Sequence, residues 1–384
     1  MFKTDFLVIG IFINNIYYKR VMDYQEKESN AVAAIKKAIP QKLKKDMHPL
    51  SEGKFAELFQ NDEVFPKHYL ACAIDGVGTK LILAEAMNVY DTVGVDLVAM
   101  SANDLATLGK VSPFLFIDYF AVQSKLQERG LTGELMKGIV KGLEACDAGD
   151  VLRSSIHINI GKGETASVDE LISSAKPGYG FDIAGGMIGF IKKSDVPAAI
   201  SVEDKIVALR SSGPHSNGYT DLRLNLLKGE FETRKEFKGM YKGKHKLDEK
   251  FDGSTIGKRL LEPTAIYTKA VAAIANKVKM IGVNNTGYGL KNLNRVKGFR
   301  FIIDNPLEPQ PIFGLMQEDS NFSEKEMYQK FNMGMGFFII TPDADTAISI
   351  AEKYGCEAKT VGKVSNGSGT VLKKGRNDIL FEGY

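Results

Sequence analysis

Four stretches of the chain set chemically competent side chains beside glycine or at the start of a helix. The first is Asp75-Gly76-Val77-Gly78-Thr79-Lys80, after the apolar run Tyr69 to Ile74 and before a helical Leu81 to Met87. Glycines let backbone approach a phosphate, and a helix start presents free N–H groups. An acid at the strand end can hold a cation, and Lys80 can offset phosphate charge. A structural turn accounts for the same residues, and the spacing is not that of a P-loop. In the second stretch, Asp96 falls at an expected helix N-cap, and capping alone would explain it. Asn103 lies two turns further along the same face. Together Asp96, Asn103 and Asp104 offer the oxygen ligands that a hard cation such as magnesium prefers.

The third stretch, Gly161-Lys162-Gly163-Glu164-Thr165, ends the alternating segment Ser155 to Ile160. A carboxylate there suits a metal or a base, and equally a turn. The fourth, Ser211-Ser212-Gly213-Pro214-His215-Ser216-Asn217-Gly218-Tyr219, joins a strand to a helix. Its hydroxyls, imidazole and amide can hold an anion or move a proton, although a single histidine is more often structural.

The elements that must position these residues alternate. Phe114 to Val122 and Lys205 to Leu209 read as strands, and Val93 to Val95 as a short extended piece. Helical patterns run over Glu28 to Ala38, Leu97 to Leu108, Gly133 to Cys146, Tyr219 to Leu227, Ala265 to Lys277 and Ala344 to Tyr354. Further strands fall near Phe299 to Ile303 and Gly336 to Thr341, with short ones at the C-terminus. Gly178 to Gly189 is glycine-rich, residues 192–202 read as a crossing, and 229–257 reads as an exposed, Lys-rich insertion with little regular structure.

A chain of 384 residues exceeds the size at which one core stops growing, so two domains are expected. With 50 Lys and Arg against 47 Asp and Glu, the net charge of +3 sets up no field that would make nucleic acid or a membrane the main partner. The three cysteines form no metal-ligand spacing and fit a reducing cytoplasm. Phe6 to Ile13 is apolar but shorter than the ~20 residues a membrane helix needs. Residues 1–17 are expected to be an atypical extension.

The segments IDGVGTKLILA, YDTVGVDLVAMSANDL, FIDYFA, GETA, FDIAGG, SSGPHSNGY, LLEPTAIYTKAV and EMYQKFNMGMGF stand in the order that marks the aminoimidazole ribonucleotide synthetase family, the phosphoribosylformylglycinamidine cyclo-ligases. Over residues 18 to 373 the chain resembles that family. The resemblance implies an α+β fold. Its first domain (18–196) has a mixed sheet that pairs across a homodimer into a central barrel, and its second (197–384) is an α/β sandwich. It implies ATP and Mg2+ at Asp75, Lys80, Asp96, Asn103, Asp104, Glu164 and Thr165, with Lys36 on a helix facing the nucleotide. It implies substrate at Ser212, His215, Ser216, Asn217 and Thr286, with His215, Asp75 and Glu164 catalytic. The implied reaction moves the γ-phosphoryl group of ATP to the formyl oxygen of formylglycinamidine ribonucleotide. Attack by the amidine nitrogen then closes the ring and releases phosphate.

The chain departs from the family pattern in several places. A glycine-rich flap is reduced to His48 to Phe59 with one glycine, Gly53. Asn284 stands where the family has histidine, Gly161-Lys162-Gly163-Glu164 interrupts Gly-Gly-Glu, and Ala-Gly-Val-Asp near the start is missing. Two other readings stay open: a related ATP-dependent synthetase or kinase of the same superfamily, and a dimer that binds nucleotide without turnover.

Overall fold

The computed structural model describes residue 31 and residues 33–49, 54–197, 199–375 and 377–383. The run Phe6 to Ile13, the expected extension and Gly53 of the flap lie outside these residues. The chain divides into two compact units, Met1–Met47 and His48–Tyr384. In the first, residues 33–38 are helical, Lys36 is exposed, and Gln41–Leu43 forms a 3-10 turn.

The second unit carries two large sheets. The first contains β1 (Glu57–Phe59), β2 (His68–Gly76), β3 (Ser112–Val122), β4 (Asn159–Ile160), β5 (Glu164–Ser167) and β6 (Phe181–Lys192), in the order β1-β2-β6-β3-β4, with β5 also on β3. It is mixed, as expected: β3 pairs parallel with β4 and β5, and the other pairs are antiparallel. Helices α1 (Leu81–Met87) and α2 (Asp91–Ala106) follow β2, and α3 (Leu131–Cys146) follows β3. The inner side of the sheet is covered by α2, which packs on β2 and β6, and α3 packs on α2.

Two expectations are corrected here. Val93 to Val95 belongs to α2, because Val93, Leu97 and Val98 are all fully buried and tertiary packing overrides the strand preference of a short β-branched run. Only Asn159–Ile160 of the Ser155 to Ile160 segment forms a strand. The glycine-rich stretch is β6, between β2 and β3. A Cβ on Gly185 would lie 2.6 Å from the Phe116 ring and 3.0 Å from Leu97, so glycine there lets neighbouring side chains reach the sheet.

After β7 (Lys205–Arg210) and the hairpin of β8 (Lys250–Phe251) and β9 (Ser254–Thr255), the second sheet is completed by β10 (Ile281–Asn284), β11 (Arg300–Ile303), β12 (Met335–Thr341), β13 (Ala358–Ser365), β14 (Gly369–Leu372) and β15 (Ile379–Phe381). Its order is β10-β12-β7-β13-β11-β14-β15. Successive residues of β7 and β12 enter opposite cores. Val207, Leu209, Phe337 and Ile339 pack with Val271, Ile274 and Ala347, from α5 (Thr268–Ala275) and α8 (Ala344–Lys353). Ile206, Ala208, Phe338 and Ile340 face the larger core. Burial on both faces is why these strands read as unbroken apolar runs. The loop before β7 leads from the first sheet, and α4 (Tyr219–Leu226) follows β7. The insertion is less exposed than expected: Glu232 is fully buried and makes two 2.8 Å bonds with Arg234. Two further helices, α6 (Pro311–Ser320) and α7 (Glu324–Lys330), were not foreseen.

Candidate active site

Asp75 lies near the end of β2 and Asp104 in the last turn of α2, both half-buried. Burial pushes the Asp104 carboxyl up to about 7; Asn284 opposes this and the nearby Asp75 carboxylate adds to it. Burial raises Asp75 as well. Asn284 closes β10, and its Nδ2 donates to Asp104 Oδ1 at 2.8 Å. The residue that replaces the family's histidine is therefore a hydrogen-bond donor to an acid of the site. Arg295, at the end of the 3-10 segment Gly289–Arg295, feels the attraction of Asp104, although burial brings its guanidinium down to about 10.

Asp75, Gly185 and Asp118 pair directly across β2, β6 and β3, which puts both carboxyls on one face of the sheet. Burial raises Asp118 too. Gly163 makes room for it, since a Cβ there would lie 2.4 Å from Asp118 Oδ1. Asp118 was not foreseen as a site residue. The available signal was an acid at the inward position of the alternating Phe116-Ile117-Asp118-Tyr119-Phe120. Glu164 is exposed beside Lys162 at 3.6 Å, and Thr165 is also exposed.

Asp96, Asn103 and Lys80 do not join this acid edge. The N-cap position of α2 is Tyr90, so Asp96 is an interior residue of the helix, and it is fully buried. Asp96 Oδ2 pairs with Lys80 Nζ at 2.7 Å, and Oδ1 accepts from the N–H and hydroxyl of Thr264 at 2.7 and 2.6 Å. Asn103 donates to Ala265 O at 2.8 Å and accepts from Tyr267 N–H at 2.9 Å. The shared face that the seven-residue spacing predicts is real, but it grips the backbone of Thr264–Tyr267. With their polar atoms so committed, neither Asp96 nor Asn103 fits as a metal ligand.

The Ser211–Tyr219 loop is held from several sides. Ser211 Oγ donates to Asn332 Oδ1 at 2.9 Å, Asn332 Nδ2 donates to Gly213 O at 2.9 Å, and Ser212 Oγ donates to Pro263 O at 2.5 Å. Ser216 and Asn217 are half-buried; Ser216 Oγ lies 3.3 Å from the Thr264 hydroxyl. A Cβ built on Gly287 would lie 3.3 Å from Asn217 Oδ1. The segment Asn284 to Gly289 thus touches Asp104 at one end and Asn217 near the other, and Thr286 lies between them. It joins the acid edge to this loop.

His215, expected to move a proton, has its ring enclosed within its own loop. Its side chain is at 3% exposure, its Nε2 accepts from Ser212 N–H at 3.2 Å, and its backbone adopts a left-handed φ of 59°. Burial, reinforced by the Lys80 ammonium, brings its pKa down to about 3. A neutral imidazole that accepts at Nε2 carries its proton on Nδ1 and organises the turn. The Cε1 proton resonance of His215 should therefore stay fixed between pH 5 and 8. A titration midpoint near 6.5 would return the ring to proton transfer.

The N-terminal domain pattern of the AIR synthase related proteins matches residues 60–191, and the C-terminal domain pattern matches residues 201–374. The chain belongs to this family. Among its relatives, a phosphoribosylformylglycinamidine cyclo-ligase of Methanococcoides burtonii is 36% identical over 346 residues, 88% of this chain and 92% of its own. The cyclo-ligase of Methanosarcina acetivorans is 37% identical over 83% and 85% of the two chains, and that of Pyrococcus horikoshii 34% identical over 88% and 92%. Among solved structures, the E. coli hydrogenase maturation protein HypE aligns with a TM-score of 0.52 at 15% identity, over 82% of this chain and 85% of its own. A thiamine monophosphate kinase from Aquifex aeolicus aligns at 0.50 and 13% identity, over 80% and 89%. At these identities the structural likeness is one of fold.

Proposed function

We propose that the chain is a phosphoribosylformylglycinamidine cyclo-ligase, an enzyme of purine biosynthesis that closes the imidazole ring of formylglycinamidine ribonucleotide with ATP as phosphoryl donor. The observation that carries this is the reach of the match: 36% identity across 92% of the M. burtonii enzyme takes in both halves of the site. Phosphoryl transfer needs positioned charge more than covalent catalysis. Two carboxyls raised by burial, with Asp75 adding to the rise at Asp104, suit a divalent cation, whose charge would favour their ionised forms. Magnesium needs only one or two protein carboxylates, since it keeps waters and phosphate oxygens among its ligands.

In this reading Asp75 and Asp104 hold magnesium, which neutralises phosphate charge. Glu164 and Thr165 serve the nucleotide. Ser216, Asn217, Thr286 and the loop backbone orient the substrate, while Ser212 and His215 keep the loop in shape. The γ-phosphoryl group passes to the formyl oxygen, the amidine nitrogen attacks the activated carbon, and phosphate leaves. Phosphate release measured with ATP, magnesium and formylglycinamidine ribonucleotide, each omitted in turn, tests the reading. Release that ignores the ribonucleotide, or none at all, would refute it. The cytoplasm is the compartment where such an enzyme would act; no described helix is long and apolar enough to cross a membrane.

The reading also includes a homodimer. The outer face of the first sheet bears Ile74 at 76%, Ile117 at 41% and Tyr119 at 44% exposure, with Ile74 and Ile117 flanking Gly186 in one row. An apolar sheet face of this kind favours a two-fold partner. Sedimentation is expected to give about twice the chain mass of 42.2 kDa. Ile74→Asp should shift the protein to monomer; a parent that is already monomeric at micromolar concentration would end the shared-barrel picture.

A further inference from the structure

Lys80 looks from its motif like a phosphate-binding lysine, yet its side chain is fully buried. A lysine ammonium has three N–H donors. Here two of them are donated to Glu262 O at 2.7 Å and His215 O at 2.9 Å, and the ammonium forms an ion pair with Asp96 Oδ2 at 2.7 Å. The buried ammonium has no surface open to a nucleotide. Each residue of Glu262-Pro263-Thr264 is then tied to one side of the site. Glu262 O takes Lys80, Pro263 O takes the Ser212 hydroxyl, and Thr264 bonds Asp96 and faces the Ser216 hydroxyl.

We propose that Lys80 is a positioning residue for the substrate side of the site: anchored on Asp96, its ammonium fixes the backbone of His215 and Glu262 and so sets the Ser211–Tyr219 loop, without touching nucleotide. The identity of the substrate in this inference rests on the cyclo-ligase reading; the loop's dependence on Lys80 does not. A buried ammonium suits the task because it bonds two carbonyls that face each other, which a backbone N–H could not do at once. Its charge is tolerated because Asp96 lies beside it and is itself held by Thr264.

Three variants test this: Lys80→Met, Asp96→Asn, and the two combined. Each is measured by melting temperature, calorimetry with a methylene-bridged ATP analogue, phosphate release at varied ribonucleotide, and hydrogen exchange over residues 211–219. Lys80→Met alone should melt far lower, because the Asp96 carboxylate is left buried without a counter-charge. The double variant should recover most of that loss, since a neutral amide oxygen still accepts from Thr264. It should nevertheless keep a KM for the ribonucleotide raised about 10²-fold, the penalty typical of a displaced positioning group. Amides of residues 211–219 should exchange faster, while analogue affinity stays within about twofold of the parent. If the double variant loses analogue binding along with its KM, Lys80 contacts nucleotide and the proposal fails. If it has parental exchange in 211–219, the ammonium positions nothing there and the proposal fails equally. A parent that releases no phosphate would overturn the cyclo-ligase reading instead, and the exchange rates alone would then decide the role of Lys80.

Discussion

Asp104→Asn is expected to lower turnover by ~10²-fold or more while making the nucleotide-free protein more stable above pH 7. The carboxyl is raised from its ordinary value to about 7, mainly by burial. A raised carboxyl favours the protonated form in the fold. Its ionisation penalty is absent below the unfolded value near pH 4, grows between about pH 4 and 7, and is complete above that. The parent should therefore lose stability as pH rises through this window. Allowing for partial exposure, the loss is on the order of 2–4 kcal/mol. Asparagine keeps the shape, carries no charge and removes that slope. Melting curves at pH 5 and pH 8, with and without magnesium, check it. Magnesium should stabilise the parent at pH 8 and do little for the variant. A variant that keeps the parental pH slope would place the titrating group elsewhere.

Gly138→Ala should carry the largest stability cost of any single methyl group added to the first half. The Cβ would lie 1.9 Å from Asp91 O, and across the same contact a Cβ on Gly94 would lie 2.2 Å from Leu135 O. Both obstacles are backbone, so α2 and α3 would have to move apart along the seam where they pack. A cost of about 3 kcal/mol is expected, at the upper end of overpacking effects. Gly133 is the control, in the same helix and exposed, with nothing within 4 Å of its built Cβ. Gly133→Ala should be neutral or stabilising by about 0.5 kcal/mol. Equal melting temperatures for the two variants would mean that the helices are not in backbone contact.

Much of this was legible in the residue pattern, and the exceptions have physical causes. Strands such as Lys205–Arg210 and Met335–Thr341 and the helix Leu81–Met87 appear where apolar runs and periodicity put them. α7 was missed although Ser323 and Glu326 form a capping box, because Glu324 to Lys330 is short and polar. β6 was hidden by glycines that serve close packing rather than turns. Asp75 and Asp104, proposed here for magnesium, are the two acids that composition and local order already single out. Asp96, Asn103 and Lys80, which the sequence suggests for metal and nucleotide, instead bond partners far along the chain. Local sequence indicates that a polar residue is present, but only the assembled fold indicates whether it faces solvent or another backbone.

The long reach of those partners also bears on synthesis. Asp96 waits for Thr264, 168 residues later, and Asn103 waits for Tyr267, 164 residues later. At about 5–20 residues per second, a ribosome takes roughly 10–30 s to deliver them. Throughout that interval the Asp96 carboxylate has Lys80 but not Thr264, and the Asn103 amide has neither of its backbone partners. Residues 262–267 are therefore the last-made part of this polar seam, and their arrival completes it.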